Sequence, residues 1–383
     1  MNRTFLLSNI KICLGDSFNP EEGYGILVDN GIIKRIAPLT ELNNVNVPVE
    51  DGGGAFVLPG LIDCHSHLSL DCALTDYLMR MNNSETELAI IAVKTLKRDL
   101  LSGVTTSRCM GDRFFIDVFC RKAVETGFLQ GPELKVSGIG MRASAGHGFV
   151  GMPFDGIEEL KEAVRSNIEK DVDWIKFYST GTVTQDGQIR SFYSKPEIAC
   201  IIDEAHRAGK PVTSHCIGGI ALLNSVELGI DCIEHAYYAG ETEVEALLKR
   251  GITVCLTPSE YFTDKANAPA ESQAKFKANR DVVAKSMDLI IKSGITFVLG
   301  TDGMHGELAQ EANYAVQFGA SPEAALAALT SNAAKLLGIN DKTGSLKEGL
   351  QADLLLVRDN PLRNIESLKN VLKVYQKGKV VTG

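Results

Sequence analysis

Short runs of β-branched and apolar residues alternate along most of the chain with longer stretches whose apolar positions recur at helical spacing. The runs predict strands at Phe56–Asp63, Val104–Cys109, Leu134–Gly138, Trp174–Tyr178, Pro211–Cys216, Cys232–Ala236, Thr253–Pro258 and Thr296–Asp302. Between them, stretches such as Ala221–Leu228 and Thr242–Lys249 repeat apolar residues on one helical face. Several helical stretches end in glycine, as in Leu101-Ser-Gly, Arg207-Ala-Gly, Glu227-Leu-Gly, Lys249-Arg-Gly and Lys292-Ser-Gly, where the left-handed position after the last turn favours a residue without Cβ. Eight strands in alternation with helices predict an α/β fold, a closed parallel (β/α)8 TIM-like barrel.

The two ends of the chain follow a different pattern. Gly25–Ile36 reads as two strands joined by a tight Asn30-Gly31 turn, and Ala352–Val357 and Val371–Val381 read as further strands, the latter turning at Lys377-Gly378. Two β-rich ends pair most simply into one small β-sandwich domain of residues 1–57 and 345–383, leaving 58–344 for the barrel. The charged segment Ser259–Asn279, poor in bulky residues, is expected to be a mobile loop over the barrel mouth.

Composition narrows the function. The chain has 383 residues and 44% apolar content, enough for a large core. Its 39 basic and 48 acidic side chains give a net charge of −9 with no basic stripe, which argues against nucleic acid or an anionic membrane as partner. The opening residues read as a strand and not a signal peptide, and no stretch approaches the roughly 18 apolar residues of a membrane span. A soluble, cytoplasmic homo-oligomer acting on a small-molecule substrate is expected. The nine cysteines contain no Cys-x-x-Cys pair, so neither a disulfide framework nor a thiolate zinc site is expected, and Cys64 and Cys216 are read as small buried hydrophobes.

In such a barrel the chemistry sits at the C-terminal strand ends. Strand one ends in Asp63-Cys-His65-Ser-His67, where alternate residues of an extended segment point the same way and two imidazoles can grip one ion. Strand four carries Lys176, strands five and six end with His215 and His235, and strand eight ends in Gly300-Thr-Asp302. Taken singly, each has a structural reading: a hydrogen-bonded core histidine, a turn aspartate, a solvated lysine. Together, four of the seven histidines fall at predicted strand ends beside one aspartate and one lysine, which points to a metal centre. His305 is read as a residue of the mouth and not a ligand.

Val57-Leu-Pro-Gly-Leu-Ile-Asp-Cys-His-Ser-His, the histidines of strands five and six, the Gly-Thr-Asp of strand eight and the late Gly344-Ser-Leu-Lys-Glu-Gly-Leu-Gln-Ala-Asp-Leu together resemble the amidohydrolase superfamily. Within it, the chain is most similar to the imidazolonepropionase-related branch that includes binuclear, prolidase-like dipeptidases and carboxypeptidases. The resemblance implies that His65, His67 and Asp302 hold one divalent metal, His215 and His235 a second, and Lys176, carbamylated by CO2, bridges them. Two Zn2+ ions are the first expectation, with manganese, iron or cobalt as alternatives. Water has a pKa near 15.7, and a divalent ion brings it to roughly 7, so that Asp302 can serve as general acid and base in hydrolysis of an amide-like C–N bond.

The resemblance also frames the alternatives. Related mononuclear deaminases carry a glutamate three residues after the strand-five histidine, where this chain has Gly218, and they lack the strand-four lysine. That favours amide hydrolysis over deamination and leaves imidazolone-type ring opening as the alternative. A non-enzymatic scaffold would be expected to have lost ligands, and none is missing. His147 matches a substrate-contacting histidine of the dipeptidase-like relatives. Those relatives often bind the substrate carboxylate with a tyrosine two residues after the strand-five histidine, and here Ile217 stands in its place, with Tyr178, Tyr237 or Arg142 as substitutes.

Overall fold

The computed structural model describes residues 3–14, 18–184, 187–265 and 267–382. Parallel strands form at or beside all eight expected places: β1 Leu61–Ser66, β2 Val104–Cys109, β3 Glu133–Lys135, β4 Ile175–Tyr178, β5 Val212–Cys216, β6 Cys232–His235, β7 Thr253–Leu256 and β8 Phe297–Leu299. β1 to β3 make one parallel sheet. β4 to β8 run in sequence order through another, extended beside β4 by the short strands Met141–Arg142 and Met152–Pro153. Backbone hydrogen bonds cross both gaps between these sheets: Asp173 and Trp174 donate to the Val136 carbonyl (2.8 and 3.1 Å), and Asp302 donates to the His65 carbonyl (2.8 Å). Every residue of β1, β2, β4, β5, β6 and β8 is buried, as in a parallel sheet covered on both faces. The helix-ending glycines Gly103, Gly209, Gly229, Gly251 and Gly294 all take positive φ.

Three expectations change. The run Phe56–Asp63 is two elements: Phe56 belongs to Val49–Pro59, a strand of the terminal sheet, and β1 begins only after Gly60, whose N–H turns to the Asp353 carbonyl (2.8 Å). The third strand stops at Lys135 because side chains take the N–H groups that a longer ladder would use. Asp173 accepts from Val136 (2.9 Å), Asp117 from Ser137 and Gly138 (3.0 and 2.8 Å), and Asn167 from Ile139 (2.9 Å). Finally, Ser259–Asn279 is largely helical and not a loop: Ser259–Phe262 forms one turn, and Pro269 starts a 24-residue helix, Ala270–Ser293.

Strands from both chain ends build the remaining sheet. Its order is Lys379–Val380, Val371–Gln376, Leu354–Val357, Val49–Pro59, Phe5–Leu14, Tyr24–Asp29 and Ile32–Pro38, with Asn19–Glu22 beside Phe5–Leu14. The expected sandwich thus takes the form of one continuous eight-stranded sheet. It bends back on itself, since Ile33 donates to the Leu350 carbonyl and Ala352 to the Gly31 carbonyl (both 2.8 Å). Its bend encloses Phe5, Ile12, Ile26, Val57, Leu354 and Tyr375. Among the described residues, no helix is long and apolar enough to cross a membrane, and all nine cysteines are free, eight of them buried.

Candidate metal centre

The strand ends bring the six expected ligands into one cluster. Ring centroids lie 5.3 Å apart for His65 and His67, 4.8 Å for His65 and His235, and 4.5 Å for His215 and His235. One Asp302 oxygen lies 3.3 Å from His65 Nε2 and 3.7 Å from His67 Nε2. This approach of the β8 end to β1 depends on Gly300, where a Cβ would lie 2.4 Å from the His65 backbone nitrogen. The backbone is strained where it delivers the candidate ligands: His235, Ala236 and Asp302 have φ of 79°, 50° and 49°. Each such conformation costs about 1–3 kcal/mol and persists only where surrounding bonds hold it, here Ala236 N–H to the Cys216 carbonyl and Asp302 N–H to that of His65.

The imidazoles are oriented as ligands require. His65 Nδ1 donates to Glu234 (2.7 Å), His67 Nδ1 to the Gly111 carbonyl (2.6 Å), and His235 Nδ1 is bonded to the Thr257 hydroxyl (2.7 Å). Each contact leaves Nε2 as the nitrogen facing the cluster. His215 Nε2 and Lys176 Nζ are buried and have no hydrogen-bond partner among the described residues. Burial, more than any neighbour, holds His67 down to about 3 and His215 and His235 well below the usual imidazole range, so these three are neutral donors. Burial likewise draws the Lys176 ammonium down to about 8, against the pull of Glu234 and Asp302. Burial raises the Asp302 carboxyl, but His65 beside it, by charge and hydrogen bond, outweighs burial and holds the group well below the usual carboxylate range. Four imidazoles, one of them with an orphaned Nε2, a carboxylate and an orphaned lysine nitrogen in one buried cluster fit a divalent cation site.

Residues 56–381 match the amidohydrolase family. The chain belongs to that family. Ochratoxinase of Aspergillus niger is 30% identical over 362 residues, covering 85% of this chain and 73% of that protein. Imidazolonepropionase of Shewanella sediminis is 26% identical over 379 residues, covering 86% and 85%. A solved prolidase complexed with N-methylphosphonate-L-proline has a TM-score of 0.88 at 25% identity, covering 98% of this chain and 99% of its own. As an amidohydrolase, the chain is a metal-dependent hydrolase of carbon–nitrogen bonds.

Around the cluster, this amidohydrolase carries a layer of buried polar groups that the sequence reading passed over. Glu234, the neighbour of His235 on β6, pairs with both His65 and Arg108 (2.7 Å each). Asp112 accepts from the backbone of Leu68 and Ser69 (3.0 and 2.8 Å), which holds the turn after His67. His305 is not at the mouth. It is buried, with Nδ1 on Asp99 (2.7 Å) and Nε2 on the carbonyls of His67 and Leu70 (both 3.1 Å). Burial opposes its protonation, but Asp99 prevails and holds it up at about 9. The available signal was a charged residue within a strand expected to be buried on both faces, as at Arg108 and Glu234.

A cavity of about 220 Å3 opens above the cluster. Its walls are largely aromatic, including Tyr77, Phe149, Tyr178, Tyr237, Tyr261 and Phe276, and the helix that replaces the expected loop contributes Phe276. His147 lines it with its ring 4.5 Å from that of His215. Of the three groups suggested as substitutes for a tyrosine at Ile217, Tyr237 is occupied by Thr257 (3.0 Å to its carbonyl), and Arg142 bonds the carbonyls of Ala143 and Ser144 (both 3.1 Å). The Tyr178 hydroxyl is buried without a partner among the described residues and belongs to the cavity wall. The wall also carries an ammonium, Lys265, paired with Glu260.

Proposed function

We propose that this amidohydrolase cleaves the amide-like C–N bond of an N-acyl amino acid, dipeptide or cyclic amide at a binuclear centre. In this reading β1 to β8 close into one (β/α)8 barrel, residues 58–344, and the terminal sheet is a companion domain of 1–57 and 345–383 whose strand runs on to Pro59. His65, His67 and Asp302 would hold one metal, His215 and His235 the other, and a carbamate on Lys176 would serve both. The observation that carries the reading is the pair of buried, unpartnered atoms, Lys176 Nζ and His215 Nε2, among imidazoles already oriented by other bonds. Zinc suits these nitrogen and oxygen donors best, with manganese, iron and cobalt as alternatives.

When bound, the metal supplies Lewis acidity that acidifies water and polarises a carbonyl. Asp302, ionised and facing His65 and His67, takes a proton from the attacking water and delivers it to the leaving nitrogen as the C–N bond breaks. His147 and the Tyr178 hydroxyl donate hydrogen bonds to the substrate, and the aromatic walls exclude competing water. Deamination is disfavoured at position 218: Gly218 has φ of +145°, and a Cβ there would meet the Tyr238 carbonyl at 3.1 Å, so a shuttle glutamate would be strained.

Chelation is expected to abolish turnover, and zinc, manganese or cobalt to restore it; undiminished activity in protein verified metal-free would overturn the proposal. His147→Ala should leave metal content unchanged and raise KM about five- to tenfold, the worth of one hydrogen bond of about 1–1.4 kcal/mol. Wild-type kinetics on the best substrate found would remove His147 from the substrate site.

A further inference from the structure

The Glu234 carboxylate lies beside the metal centre, and its hydrogen bonds all reach other strands. One oxygen accepts from His65 Nδ1 (2.7 Å), and the other from Arg108 Nη2 (2.7 Å) and from the Thr213 hydroxyl. Arg108 also donates Nε to the Cys64 carbonyl (2.6 Å), and its guanidinium lies 4.7 Å from the Trp174 ring centroid. Glu234 and Arg108 are both 0% exposed. A buried ion pair generally adds little stability over apolar side chains of the same shape, so fold stability alone does not account for this one. Its geometry does: with the Nδ1 proton committed to Glu234, the His65 lone pair is confined to Nε2, the atom 3.3 Å from Asp302.

The same atoms admit a competing arrangement, because donor atoms of His65, Glu234 and Cys255 lie within 4.8 Å of one another and form a second possible metal cluster. Arg108 argues against it. A guanidinium already neutralises the carboxylate, and a second cation there would have to share the pocket with it.

We infer that Glu234, held in place by Arg108, is a positioning residue that fixes the His65 tautomer and aims its Nε2 at the metal. The inference rests on the metal-centre reading given above. Glu234→Gln leaves the guanidinium uncompensated in the core and risks unfolding, so the paired variant Glu234→Leu with Arg108→Met, which removes both charges together, is made beside it. Each protein is stripped and titrated with zinc against a competing chelator. In both variants the affinity for one zinc should fall about 10- to 100-fold, as it does when the partner of a ligating histidine is lost. At saturating zinc, kcat should fall while KM changes less than about twofold. Cys255→Ala should match wild type in zinc stoichiometry. Wild-type zinc affinity in the folded paired variant would overturn the inference. Loss of one zinc in Cys255→Ala would overturn it too, by making the second cluster the metal site. Wild-type protein that binds no zinc, manganese or cobalt would instead overturn the metal-centre reading itself, and this inference with it.

Discussion

Asp302→Asn is expected to lower kcat by more than about a hundredfold while the protein stays folded and keeps most of its metal. In the proposed mechanism the carboxylate has two separable roles. As a ligand, it presents an oxygen 3.3 Å from His65 Nε2 and 3.7 Å from His67 Nε2, and an amide oxygen can occupy the same place. As a base, it needs the negative charge that His65 sustains against burial, and an amide cannot accept a proton. The substitution therefore removes proton transfer and spares the geometry. The backbone position, strained at φ of 49°, suits asparagine as well as aspartate, because both tolerate the left-handed region. Turnover, metal content and melting temperature measured on one preparation decide the matter. Near-normal rates at unchanged metal content would assign the base to another residue.

Lys176→Ala is expected to lose one metal equivalent and most of the activity, with Lys176→Glu recovering part of both. An ammonium between two dications would be repelled and has no lone pair to offer. The buried amine, drawn down to about 8 by desolvation, is free base to roughly a tenth near neutral pH, far more than a lysine at its ordinary value near 10.4. Its nitrogen lone pair can add to the carbon of CO2 as the amine proton leaves, giving an anionic carbamate whose oxygens would serve the proposed ions. Nothing in the described protein competes for Nζ, which has no hydrogen-bond partner and lies 4.9 Å from the Tyr178 ring centroid. The flanking Trp174 and Phe177 are both buried, which limits water access to the adduct. Reconstitution of stripped protein should accordingly be faster with bicarbonate. Full metal content and full rate in Lys176→Ala, or reconstitution indifferent to bicarbonate, would refute the bridge and restore a single-metal mechanism.

The amino-acid sequence by itself determined the order of elements and the identity of the cluster residues, because both are local properties. Burial on both faces makes the parallel strands short runs of apolar and β-branched residues, and the site residues stand where those runs end, as His65 and His67 do after Leu61-Ile62. Tertiary structure alone decided where ladders stop and how the ligands are held. β3 ends at Lys135 because Asp117, Asn167 and Asp173, distant in sequence, capture the next N–H groups. The helical fate of residues 270–279 depends on Phe276 packing against Tyr261, with ring centroids 5.0 Å apart, a contact that periodicity does not reveal. His65 and Glu234 are 169 positions apart, and Glu234 and Arg108 126 apart. Hydrophobic periodicity reports which face of an element is buried, whereas the partner of a buried charge is set by sheet register and by which strands become neighbours, and those arise only when the whole chain has packed.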